Sequence, residues 1–146
     1  MKKYVYLFIS NLLLFLVFPF IRLVSKTFYE KNILPYVLNL SCNSKPIDYQ
    51  RKKVIPDATG KVLEIGIGPG SNLKHYDNTK VTSILGIDPS KELNQIAKKR
   101  AEKNNLNIEF LIESASNLSV ESKSIDTVVS TYALCSIPEP EKTLQE

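Results

Sequence analysis

Cysteine and histidine are nearly absent from this 146-residue chain, which has two cysteines, Cys42 and Cys135, and one histidine, His75. The cysteines stand far apart and form no CxxC pair. That pattern argues against a disulfide framework or a zinc site and fits reduced thiols in a cytosolic setting. A single imidazole excludes a histidine-based metal cluster within the chain, and no metal is expected. Internal repeats and low-complexity tracts are missing as well. So is a basic excess in the part where a nucleic-acid groove would need it. The net charge is +4, yet residues 1–60 carry nine Lys/Arg against three Asp/Glu, and residues 61–146 carry ten against twelve. No nucleic-acid partner is expected on that balance. The length suits one domain, and at 43% hydrophobic and 23% charged residues the composition is that of a globular protein.

What is present begins with an apolar run. Tyr4 to Ile21 reads YVYLFISNLLLFLVFPFI, without a charge, between Lys2-Lys3 and Arg22. Eighteen residues of helix reach about 27 Å, close to the thickness of a bilayer core. The run exits into Phe18, Pro19 and Phe20, a poor signal-peptide cleavage site. Residues 1–25 are therefore expected to form a membrane anchor helix in contact with lipid. The cations after it place the rest of the chain on the cytosolic face. Residues 26–60 read as a basic, amphipathic connecting region. Phe28 to Leu40 has apolar residues at helical spacing, interrupted by Pro35. Asp48 to Pro56, DYQRKKVIP, is either a solvated helix face or a contact with anionic head groups.

Residues 61–146 alternate strand and helix signals. Apolar runs at Lys61–Ile65, Val81–Ile87, Ile108–Ile112 and Ile125–Ser130 read as strands. Ser90 to Asn105 carries Leu93, Ile96, Ala97 and Ala101 at helical spacing behind a possible N-cap at Ser90. Strand, glycine turn, helix, strand, helix, strand is the order of parallel βαβ units. The fold class is thus α/β: a partial Rossmann-like, doubly wound parallel sheet containing the first four strands.

VLEIGIGPG, Val62 to Gly70, sets Gly66, Gly68 and Gly70 in alternation directly after the first strand. Residues without Cβ let the main chain turn sharply and let a ligand approach it closely. Asp88 follows Gly66 by 22 residues, at the end of the second strand. A carboxylate there can accept hydrogen bonds from both hydroxyls of a ribose. Together these features predict a nucleoside-containing cofactor at the carboxyl ends of the strands. The dinucleotide fingerprint G-x-G-x-x-G/A is not met, because position 71 is Ser and the pattern is G-x-G-x-G. A nicotinamide-dependent oxidoreductase is disfavoured on that ground. A P-loop is absent, since no Gly-Lys-Ser/Thr follows.

The glycine motif with Asp88 downstream resembles the first two motifs of class I S-adenosylmethionine-dependent methyltransferases. Ile125 to Glu146, IDTVVSTYALCSIPEPEKTLQE, is similar to the fourth-strand segment of the microsomal thiol methyltransferase family and its bacterial relatives, which carry an N-terminal anchor. The resemblance implies S-adenosyl-L-methionine as cofactor and methyl transfer, at a membrane, to a small lipophilic acceptor: a thiol, a quinone or a lipid. It implies that Glu64 supports the glycine turn and the methionine end of the cofactor. Gly66, Gly68 and Gly70 would lie beneath that methionine moiety, and Asp88 would hold the ribose. Ser114 and Ala115 match the segment flanking adenine, although the family often carries Asp where this chain has Ser114. Ser130 and Thr131 match the point where the chain passes the methionine end.

Other polar residues invite plainer readings. Asp126 reads as structural, Cys135 as a buried thiol and His75 as a lone surface imidazole. The resemblance also sets an expectation about extent. Glu146 falls within the helix after the fourth strand, so a truncated product, a fragment or a subunit completed by another chain is expected. The alternative of a different class is a non-catalytic, membrane-tethered nucleoside-binding fragment.

Overall fold

The computed structural model describes residues 26–116 and 118–145. The chain divides into two compact units, Met1–Val37 and Leu38–Glu146. In the first, helix α1 (Lys26–Asn32) leads into α2 (Leu34–Cys42), which the unit boundary crosses. Pro35 is the second residue of α2, in the first turn, where its missing N–H costs no helical bond. The helical pattern of Phe28–Leu40 is thus divided between two helices instead of being kinked within one.

The expected anchor over Tyr4–Ile21 lies outside the described residues. Among the described residues no helix is long and apolar enough to cross a membrane. The longest has 13 residues, or about 20 Å of helix against roughly 30 Å of hydrocarbon. The expectation of a membrane-anchored protein facing the cytosol is corrected on that finding.

The second unit is built on a four-stranded sheet. Helix α3 (Lys45–Val54) and a single 3-10 turn (Ile55–Asp57) precede strand β1 (Gly60–Ile65). Then come β2 (Val81–Ile87), helix α4 (Lys91–Lys103), β3 (Ile108–Leu111), β4 (Thr127–Ser130) and a last helix, α5 (Pro140–Gln145). The order across the sheet is β3-β2-β1-β4 and every pairing is parallel. Val62 to Ile65 of β1 are all buried, because β1 has a neighbour on each side and packing on both faces. Val62 joins Ile55, Leu73, Ile84 and Ala97 on one face. Leu63 and Ile65 join Ile87 and Ala115 on the other. Glu64 shares the face of Val62, as a period of two requires.

One expected helix takes another form. The connection from β1 to β2 contains only a 3-10 turn, Leu73–His75. Helix α4 is present as read: Ser90 Oγ accepts from Leu93 N at 3.2 Å, and Leu93, Ala97 and Ala101 are buried. From β1 the chain winds outward to β2 and β3, then returns to β4 on the other side of β1. That reversal is the switch point at which doubly wound sheets open a crevice beyond the strand ends.

Candidate functional site

The crevice is built from the loops that leave the four strands. Gly66 N and Ile67 N both donate to Ile87 O, at 2.8 and 3.1 Å, which ties the glycine turn to the end of β2. The next residue, Asp88, is 8% exposed. Its Oδ2 accepts from Gly68 N at 3.0 Å and its Oδ1 from Ser90 N at 2.8 Å. Burial raises the Asp88 pKa, and these two backbone donors work against that rise. The acid and the glycine turn therefore face one groove.

The glycines divide the work. Gly66 has φ +66°, and a Cβ there would overlap the Cβ of Ala133. Gly68 has φ +52°, and a Cβ there would meet nothing nearer than Asp88 Oδ2 and Gly66 O at 3.9 Å, so its main chain stays open to a ligand. Gly70 instead packs against Leu73 and Ala97 and does not line the crevice.

The crevice encloses about 290 Å³. Gly66, Gly68 and Ser71 line it from the first turn, and Asp88 from the second. Ser114 and Ala115 line it after β3, and Thr131 and Tyr132 after β4; Leu38, Cys42 and Arg51 come from α2 and α3. Of the residues expected from the sequence, the structure thus brings Gly66, Gly68, Asp88, Ser114 and Ala115 to one cavity. Glu64, Gly70 and Ser130 do not line it. Ser130 is the last, exposed residue of β4, and Thr131 after it takes the place on the wall.

Glu64 lies beneath the glycine turn in a buried network. Its oxygens accept from Asn72 Nδ2 at 2.9 Å and from Tyr76 Oη at 2.8 Å. Asn72 in turn accepts from Arg51 Nη1 at 2.7 Å and donates to Thr131 Oγ1 at 2.9 Å. Burial pushes the Glu64 pKa up to about 7, against the pull of Tyr76, Asn72 and the Arg51 charge. The Tyr76 hydroxyl is also pushed up, by burial and by Glu64. Sequence reasoning missed Arg51, Asn72, Tyr76 and Tyr132. Arg51 stands in a basic run beside the exposed Lys52 and Lys53 and carries no local mark of being inside. Tyr132 has φ +57°, a backbone region that costs a side-chain-bearing residue about 1–2 kcal/mol.

Three plainer readings also meet the structure. Asp126 is structural, its Oδ2 accepting from Lys61 N at 2.8 Å. Cys135 is exposed and not buried. His75 is no lone surface imidazole: its side chain is 12% exposed and its Nε2 sits 2.8 Å from Asp48 Oδ1. No group of three or more His, Cys, Asp or Glu side chains able to hold a metal occurs among the described residues.

A parallel sheet with a switch-point crevice, an open glycine turn and a facing acid defines a doubly wound nucleoside-binding domain. Residues 63–146, more than half of the chain, match the family described as "Methyltransferase domain", and the chain belongs to that family. It is 39% identical over 92 residues to uncharacterized methyltransferases of Bacillus cereus and Bacillus anthracis, a match covering 62% of this chain and 41% of each relative. The chain thus spans less than half the length of those curated relatives. Among solved structures it resembles a candidate S-adenosyl-L-methionine-dependent methyltransferase of Methanococcus maripaludis, with a TM-score of 0.56 and 25% identity over 68% of this chain and 46% of that one. A SAM-dependent methyltransferase from Aquifex aeolicus has the same fold, with a TM-score of 0.60 and 19% identity over 77% of this chain and 64% of that one.

Proposed function

We propose that the crevice binds S-adenosyl-L-methionine and that the domain serves methyl transfer to a small lipophilic acceptor, such as a thiol. The observation that carries this reading is the common groove of Gly68 and Asp88, joined at 3.0 Å. Asp88 uses one acceptor site on each oxygen for a backbone N–H. A carboxylate has further lone pairs, which suit the two hydroxyls of a ribose. Ser114 and Ala115 form the wall beside the base. Gly66, Gly68 and Thr131 line the part of the crevice that takes the amino-acid end.

When bound, S-adenosyl-L-methionine supplies an electrophilic methyl carried on a sulfonium. The chain's residues orient that centre and exclude water from it. Leu38, Ile137 and Pro138 give the crevice an apolar border, which favours a lipophilic acceptor over a charged one.

The test is equilibrium binding of S-adenosyl-L-methionine to the full chain and to Asp88→Ala. The wild type is expected to bind. The variant should lose about tenfold to a hundredfold in affinity, the size of one or two hydrogen bonds to a charged group. Absence of binding by the wild type overturns the cofactor reading. If the cofactor binds but no methyl reaches any of a panel of lipophilic thiols, the acceptor class is wrong.

A further inference from the structure

A second cavity, of about 260 Å³, adjoins the glycine turn. Gly70 and Ser71 line it, with Lys74 from the 3-10 turn and Arg100, Lys103 and Asn104 from the end of α4. It shares only Ser71 with the crevice. Three cationic side chains therefore face one concavity, and no carboxylate lines it.

Little nearby answers that charge. Lys74 pairs with Asp48, whose Oδ1 is also held by His75. Arg100 and Lys103 belong to no ion pair among the described residues. Arg100 is half-buried, and burial lowers its pKa. Its guanidinium donates to two neutral oxygens, Pro69 O at 2.8 Å and Asn39 Oδ1 at 2.6 Å, and has further N–H groups to give. The C-terminal end of α4 attracts cations and accounts for part of the cluster. That helix end supplies about half a negative charge and Asp48 one, so the three cations keep an excess of about one and a half. Like charges gathered in a concave, partly desolvated site repel one another, and a bound anion relieves the repulsion.

Two neutral donors stand on the same wall. Ser71 is 4% exposed, and its Oγ is buried without a hydrogen-bond partner. Asn104 Nδ2 gives one N–H to Arg100 O at 2.7 Å and has a second to offer. The donors come from the glycine turn, the 3-10 turn and the helix end, so they do not share one plane. A planar carboxylate suits such a set poorly, whereas a phosphate presents several oxygens in tetrahedral directions. Its charge of about −1.5 to −2 at pH 7 also matches the excess. Arginine meets phosphate as a fork and lysine as a point charge.

We propose that this cavity is a binding site for a phosphate group, free or esterified to a small molecule. It is separate from the crevice and does not rest on the cofactor reading. A nucleic-acid backbone has the same chemistry but needs a broad basic surface, and residues 61–146 carry ten Lys/Arg against twelve Asp/Glu.

The experiment is an NMR titration of the full chain with inorganic phosphate and with glycerol 3-phosphate, each against chloride at equal ionic strength. Amide shifts should centre on Gly70, Ser71 and Asn104, with a Kd of about 1 mM or tighter. A tighter ester would support a phosphorylated small molecule as the occupant, and equal affinities would support the free ion. Arg100→Gln should weaken binding about tenfold, the size of a charge-assisted hydrogen bond. Lys103→Gln should weaken it about threefold to fivefold. Lys98 is exposed on the same helix, about 140° around from Lys103, and does not line the cavity. Lys98→Gln removes the same charge and should change the affinity by less than about twofold. If Arg100→Gln fails to fold through loss of its bonds to Pro69 and Asn39, the exposed pair Lys103 and Lys98 still decides the matter. Equal losses in those two variants would mean diffuse attraction, as for a polyanion such as nucleic acid, and would overturn the proposal. So would phosphate shifts no larger than those from chloride, or shifts centred on Gly68 and Asp88 in the crevice.

Discussion

Gly66 and Gly68 stand two residues apart and answer to different constraints. Both have positive φ, so any side chain at either position costs about 1–2 kcal/mol of backbone strain. Gly66 faces Ala133 with no room for a methyl, whereas the space above Gly68 is open. Gly66→Ala should therefore add an overlap cost and lose about 2–4 kcal/mol of stability. Gly68→Ala should lose only the strain, while its methyl enters the groove and weakens nucleoside binding. Urea unfolding and equilibrium binding, measured on both variants, separate the two effects. Equal destabilisation with equal loss of binding would mean that the two glycines do the same thing. The contrast explains why three alternating glycines were readable as a turn but not as a division of labour. Spacing reports where Cβ is absent, and only the packed neighbours report why.

Helix α4 and the site acid form one element. Ser90 Oγ caps the helix by accepting from Leu93 N, and Ser90 N donates to Asp88 Oδ1. Asn94, buried one turn in, donates to Asp88 O at 3.0 Å. Ser90→Ala should cost about 1 kcal/mol through loss of the cap, read as a shift in the unfolding midpoint, with Ser90→Asp restoring most of it. A null effect of Ser90→Ala would show that the Asn94 bond alone fixes the helix start. Most of this framework was legible from sequence. The four apolar runs became the four strands because buried parallel strands need apolar residues on both faces. The helix after Asp88 was legible because Leu93, Ala97 and Ala101 share one face. The first crossover was not, since Leu73–His75 is too short to set up any periodicity. Arg51 was hidden for a different reason. Its burial depends on Asn72 and Thr131, residues 21 and 80 positions away, and no local pattern carries that distance.

Across the whole molecule, the main electrostatic debt lies under the glycine turn. Glu64 occupies a face of β1 that otherwise buries Val62, with Ile84 of β2 and Val129 of β4 on the same core face. Its carboxyl holds a proton up to about pH 7 when folded, against roughly 4.3 for an unperturbed Glu. The folded state thus binds the proton more tightly than the unfolded one. The stability this group contributes is complete below the unfolded pKa and is lost as pH rises through the folded one. On that count the protein should lose on the order of 3 kcal/mol of stability between about pH 4 and pH 8. Asp48, whose pKa its bonds to Lys74 and His75 lower, changes its contribution only at more acidic pH; Asp88, whose pKa burial raises, adds a fall of the same sign that wild type and variant share, so the difference between them belongs to Glu64. Glu64→Gln cannot ionise and should flatten the profile across it, while keeping an oxygen for Tyr76 or Asn72. Urea unfolding at pH 5 and pH 8 on both chains measures the slope. An unchanged slope in Glu64→Gln would mean that the carboxylate is ionised in the fold and compensated by the Arg51 charge.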